Sequence, residues 1–145
     1  MTKKANRITS IVLVLALIFS LFSITSYAEV NSSAYIYKTS ASVLPGSSSG
    51  KIIVNYSITG MGMMDTIGAF SIKVYRSTGS LYCSIYGSTT NGLLINNACV
   101  HAGSYMVTCV PGASYYCEVT LIAAKSGGGD TRTIQTGTIV APSSP

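Results

Sequence analysis

The sequence predicts an all-β fold, an antiparallel β-sandwich of about seven strands, on three observations. Apolar and polar residues alternate with period two in successive stretches, most regularly at Ile52, Val54, Tyr56 and Ile58 and again at Tyr115, Cys117, Val119 and Leu121, the pattern of strands with one face in a core. No segment keeps a helical period over three turns. Charge is sparse, with nine basic and four acidic residues among 145, so the polar surface must be built from Ser, Thr, Asn and Gly, which suit exposed β-structure and serve helices poorly.

The chain opens with an address. Lys3, Lys4 and Arg7 form a basic start, an unbroken apolar run follows from Ile11 to Phe19, and Ser26-Tyr27-Ala28 offers small residues where a signal peptidase reads. Residues 1–28 are therefore expected to be a signal peptide, residues 29–140 a single β-sandwich domain, and residues 141–145 a disordered Pro/Ser tail. The competing reading of the leader is an uncleaved anchor, but a spanning helix wants about 20 apolar residues and Ser20, Ser23, Thr25 and Ser26 interrupt early. Cleavage after Ala28 would leave 117 of the 145 residues, enough for one core. Three of the nine basic residues leave with the leader, so the remaining balance is six basic to four acidic. That is no nucleic-acid signature, and the expected address is secreted, with no membrane attachment after signal cleavage.

In order, Tyr35, Tyr37 and Val43 mark a first strand, turned by Pro45-Gly46 and the serines after it. Residues 51–59 form the second, with Ile52, Val54, Tyr56 and Ile58 inward. Residues 60–65, with Met61, Met63 and Met64 among glycines, read as a loop whose methionines either meet apolar partners or cap an open end of the core. Residues 69–76 are the third strand, with Phe70, Ile72 and Val74 inward and Ser71, Lys73 and Tyr75 outward. A turn at 77–80 leads to a short fourth strand, 81–86. Residues 87–103 have little periodicity and many Asn and Gly, and are expected to be a long connection with Leu93, Leu94 and Ile95 at the core edge. The fifth strand is 105–109, with Tyr105, Val107 and Cys109 inward. Pro111-Gly112 then breaks the chain before the sixth strand, which ends at Lys125. Residues 126–130 form a hairpin loop, and 131–140 the seventh strand.

Tyr115 enters its strand just after the Pro111-Gly112 turn and two residues before Cys117. That placement matches the tyrosine corner of immunoglobulin-like sandwiches, in which the phenol is buried and its hydroxyl bonds back to the preceding loop. The run Pro111-Gly112-Ala113-Ser114-Tyr115-Tyr116-Cys117-Glu118-Val119, with the Gly-rich turn and Thr-rich strand after it, resembles the last third of a fibronectin type III domain. The segments Thr59–Asp65, Ile67–Tyr75 and Ala124–Arg132 resemble, more closely, small exported proteins of unknown function from Gram-positive bacteria. The resemblance implies an immunoglobulin-like, fibronectin type III-like fold and an exported address, and no activity. The tryptophan usual in the second fibronectin strand is replaced by Val54 or Tyr56.

The four cysteines, Cys83, Cys99, Cys109 and Cys117, all follow the leader. An even number in an exported chain favours disulfides. Of three connectivities, Cys83–Cys99 with Cys109–Cys117 closes the two short loops. No C-x-x-C occurs and His101 is the single histidine, so no metal site is expected. His101 sits in the loose 87–103 stretch, without a partner for nucleophilic catalysis. The acids outside the leader, Glu29, Asp65, Glu118 and Asp130, suggest no catalytic pair. Gly127-Gly128-Gly129 lacks the helix and lysine of a phosphate cradle. The chain is expected to be no enzyme and to carry no cofactor.

What is left is a surface. Tyr75 and Tyr116 fall on outward positions of neighbouring strands, with Tyr82 and Tyr86 on the flanking fourth strand and Lys73, Glu118 and Thr120 among them. Exposed rings amid hydroxyls stack on sugars or anchor proteins, and cross-strand tyrosines also simply stabilise sheets. The expectation is a non-catalytic exported binding or adhesion-type module for an unknown glycan or protein partner. The alternative is a structural cell-surface subunit that self-associates weakly.

Overall fold

The computed structural model describes residues 33–144; the expected signal peptide lies outside them. The strands are β1 Ile36–Pro45, β2 Lys51–Arg76, β3 Leu81–Tyr86, β4 Leu94–Thr108, β5 Ser114–Lys125, β6 Gly128–Gln135 and β7 Ile139–Val140. All pair antiparallel in one seven-stranded sheet, and no helix occurs among the described residues.

The spine is β2. Its first half is paired by β1 and by the second half of β4. Its last third is paired by β5 and by β3. Lys51 at one end lies opposite Thr108, and Arg76 at the other lies opposite Tyr115. A straight strand of 26 residues would run about 85 Å, yet the short chain from Thr108 to Tyr115 reaches at most about 25 Å. The two ends of β2 therefore meet at one corner, and the strand doubles over. The sheet curls with it into half a barrel, with the alternating apolar side chains of both arms on the concave side.

The bend falls where the ladder breaks, between Thr59 and Met64. Here the expected loop 60–65 is instead strand that carries the bend. Met64 is buried as part of the core, whereas Met61 and Met63 are 58% and 59% exposed. Gly68 completes the turn at φ +146, and a Cβ there would lie 2.1 Å from the Leu93 carbonyl oxygen, so no side chain fits. Residues 87–103, expected to be a connection, contribute most of β4: the chain from Leu94 on pairs with β2 through Gly68, Ile67, Thr66 and Met64 and then through Thr59 to Lys51. The expected fifth strand is the end of that longer one.

Ile52, Val54, Ile58, Ile72, Val74, Val119 and Leu121 are fully buried and Tyr56 nearly so, as the alternation predicts. Phe70 is the exception. It is 47% exposed because the β2–β5 register steps from Ala69 to Ser71, leaving Phe70 as an extra residue between two paired ones. Ala69 takes the inward position. The expected seventh strand is divided into β6 and β7, with Thr136 between them donating its hydroxyl to Gly137 and accepting the Cys117 amide. The final residues do not trail: Ala141 is fully buried and bonded to Ala113 and Gly112, and the Pro142 carbonyl accepts the Gly50 amide.

Two acids fasten the bent end. Asp65 accepts the Ser126 amide at 2.6 Å and so holds the β5–β6 turn. Asp130, in β6, accepts the Ser33 hydroxyl and the Tyr35 amide at 2.5 and 3.3 Å, drawing the start of β1 onto β6.

Candidate binding face

Cross-strand partners in an antiparallel pair share a face, so the register orders the convex surface of β3, the end of β2, β5 and β6 into rows. Tyr75 is opposite Tyr116; Lys73 is opposite Glu118 and Ser84, with Gln135 beyond Glu118; Ser71, itself buried, is opposite Thr120 and Tyr86, with Thr133 beyond Thr120. The rings of Tyr75 and Tyr116 stack, with centroids 5.2 Å apart and planes 10° from parallel. The Thr120 and Thr133 hydroxyls bond at 2.9 Å. Partial burial of Tyr75, then its hydrogen bond to the Glu118 carboxylate and that group's charge, push the phenol above its ordinary range.

The four singled-out tyrosines divide. Tyr75 and Tyr116 form the stacked pair, and Tyr86, 66% exposed, stands two rows away along the same face. Tyr82 belongs elsewhere. The β2–β3 register shifts between Val74 and Tyr75, and Tyr82 packs edge-on against the buried Tyr115 ring, centroids 5.1 Å apart. Its hydroxyl donates to the Thr108 carbonyl and the Arg76 guanidinium lies 5.6 Å from its ring centre. Tyr115 is fully buried, and its hydroxyl accepts the Val110 amide at 3.1 Å.

The four cysteines are all free thiols, which corrects the expected disulfides. Cys83 lies opposite Val74 near the ends of β2, while Cys99 lies in β4 at the bend. At least ten residues of β2 separate their levels along the sheet, so the two are not cross-strand neighbours. Cys109 and Cys117 come from facing arms of the sheet, and both remain thiols. Burial pushes the Cys117 thiol up to about 12 and the Cys109 thiol up to about 11, with Cys83 adding a smaller push to each. These thiols are inert core groups at neutral pH.

His101 is not in a loop. It stands on β4 opposite Ile58, with Nε2 2.9 Å from the Gly92 carbonyl oxygen and 3.1 Å from the Tyr56 hydroxyl. A ring nitrogen that close to a carbonyl carries its proton there, so His101 ties the 87–93 turn to the sheet. Among the described residues no group of His, Cys, Asp and Glu is placed to hold a metal ion.

A second surface feature is set by strand register rather than by local sequence. Leu44, Ile53 and Met106 lie side by side across β1, β2 and β4 on the convex side, with Leu44 51% and Met106 54% exposed. The alternation already placed Ile53 outward; only the register shows that its neighbours are apolar too. Comparison with protein families, curated proteins and solved structures finds no match to this chain.

Proposed function

We propose that this chain is a non-catalytic, exported binding module of immunoglobulin-like β-sandwich build, and that it holds a glycan or a protein surface on the convex face of β3, the end of β2, and β5. The observation that carries the reading is the stacked pair Tyr75–Tyr116, set beside Lys73 and Glu118 and the hydroxyls of Ser84, Thr120 and Thr133. The pair buries one face of each ring and leaves ring edges and outer faces for apolar contact, while the neighbouring rows supply donors and acceptors within one or two strand spacings. The basic, apolar, small-residue leader supports export. The doubled β2 and the bond from Val110 to the buried Tyr115 support the immunoglobulin-like build.

The test is a glycan array and a cell-wall pull-down with the chain from Glu29 onward. Tyr75→Ala with Tyr116→Ala should weaken binding at least about tenfold, the range of an aromatic anchor. Tyr37→Ala, which removes a 71% exposed tyrosine elsewhere, should change nothing. Binding that survives the double substitution, or that responds equally to Tyr37→Ala, sinks the reading.

A further inference from the structure

We propose that the free edge of β4 pairs with the same edge of a second copy of this chain, antiparallel about a two-fold axis at Gly103. This is independent of the tyrosine face. Among the described residues β4 packs on no strand but β2, so one edge of a 15-residue strand is left without a ladder partner. Such an edge is a template for another strand unless charge, proline, shortness or irregularity blunts it. The other outer strands are blunted. β1 carries Lys38, Pro45 and a register break; β6 carries Asp130 and Arg132; β3 has six residues. From Leu94 to Thr108, β4 has no Lys, Arg, Asp, Glu or Pro. Its left-handed residue, Asn97 at φ 55, lies near its start, and the ladder from Val100 to Thr108 is regular.

The same stretch is complementary to itself. Its exposed side chains are Val100, Ala102, Ser104, Met106 and, at its end, Thr108. An axis at Gly103 sets Val100 against Met106 of the second copy and Ala102 against Ser104 of the second copy, each pair occurring twice. No like charges meet. The axis falls on a residue with no side chain, where a Cβ would press on the Tyr56 hydroxyl at 2.6 Å. The apolar row Leu44–Ile53–Met106 then runs on into Val100 of the second copy. Side chains that are 50% to 54% exposed in the single chain gain cover from one contact.

Among the described residues every strand and core side chain lies within 33–144, so the chain from Glu29 onward keeps all of them and is the form to test. Sedimentation should show a concentration-dependent dimer. Ala102→Lys should weaken it about tenfold, the sum of two unfavourable cross-strand contacts, and adding Ser104→Glu should restore it. Ser40→Lys, on the same convex side but in β1, should leave it unchanged. In a Cys99→Ser background, a mixture of Ala102→Cys and Ser104→Cys chains should cross-link on oxidation, while neither does so alone; this reads the register even if Ala102→Lys fails to fold. A chain that is monomeric at every concentration overturns the proposal, whatever other strand binds the edge. So does a dimer in which Ala102→Cys or Ser104→Cys cross-links with itself.

Discussion

Tyr115 joins two arms of the chain through one atom: its ring is buried from β5, and its hydroxyl accepts the amide of Val110 beyond the end of β4. Tyr115→Phe keeps the packing and removes that acceptor. Because Val110 is itself 45% exposed, water can reach part of the loss, and the expected cost is about 1 kcal/mol, read from the urea midpoint at unchanged slope. The thiols beside it make a second prediction. Their folded-state values are raised, to about 11 for Cys109 and about 12 for Cys117, from an ordinary 9.0. Below pH 9 folded and unfolded chains both keep these protons, and the stability is fully present. As pH rises from about 9 through 11 and 12, the unfolded chain gives up protons that the folded chain retains, so stability falls. Denaturation midpoints measured from pH 7 to 10.5 should decline above pH 9. The decline should be shallower in a Cys109→Ala, Cys117→Ala variant, whatever its absolute stability.

At the scale of the element, β2 shows what period two conveys and what it hides. Met63 and Met64 are adjacent and chemically identical, yet Met64 is 2% exposed and Met63 is 59%. Met64→Ala should therefore cost about 2 to 4 kcal/mol as a core truncation, and Met63→Ala should stay within about 0.5 kcal/mol; thermal or urea unfolding of the two variants separates them. The inward sets of 51–59 and 115–121 were legible because each residue there has one ladder partner and the parity holds. Phe70 was not, since one unpaired residue after Ala69 reverses the parity and nothing local announces it. Nor was the bend. Gly60, Gly62 and the methionines read as a loop because glycine permits a turn, whereas here the glycines let a strand kink and continue in the same sheet. The start of β4 was hidden for the opposite reason: from Leu94 to Cys99 no side chain is fully buried, so no core face imposes alternation there.

For the whole molecule, composition and alternation conveyed the all-β antiparallel class, while the pairing of strands distant in sequence did not follow from them. Of the candidate face, the outward placement of Tyr75 and Tyr116 was readable, but their stacking and the departure of Tyr82 to the Tyr115 corner depend on the register. The Cys83–Cys99 pairing failed because loop length alone cannot say that two residues lie at opposite ends of an arm. Those ends have a mechanical meaning. Ser33 enters beside Asp130 at the bent end, and Pro142 leaves beside Gly50 at the other. Tension applied through the two ends therefore runs along the strands, and β1 can leave only by sliding on β2. The backbone bonds from Thr39 to Pro45 are then loaded together in shear rather than opened one after another. Resistance to pulling is set by the rate of forced unfolding rather than by equilibrium stability, and a chain held at one end and tugged at the other would draw on this arrangement directly.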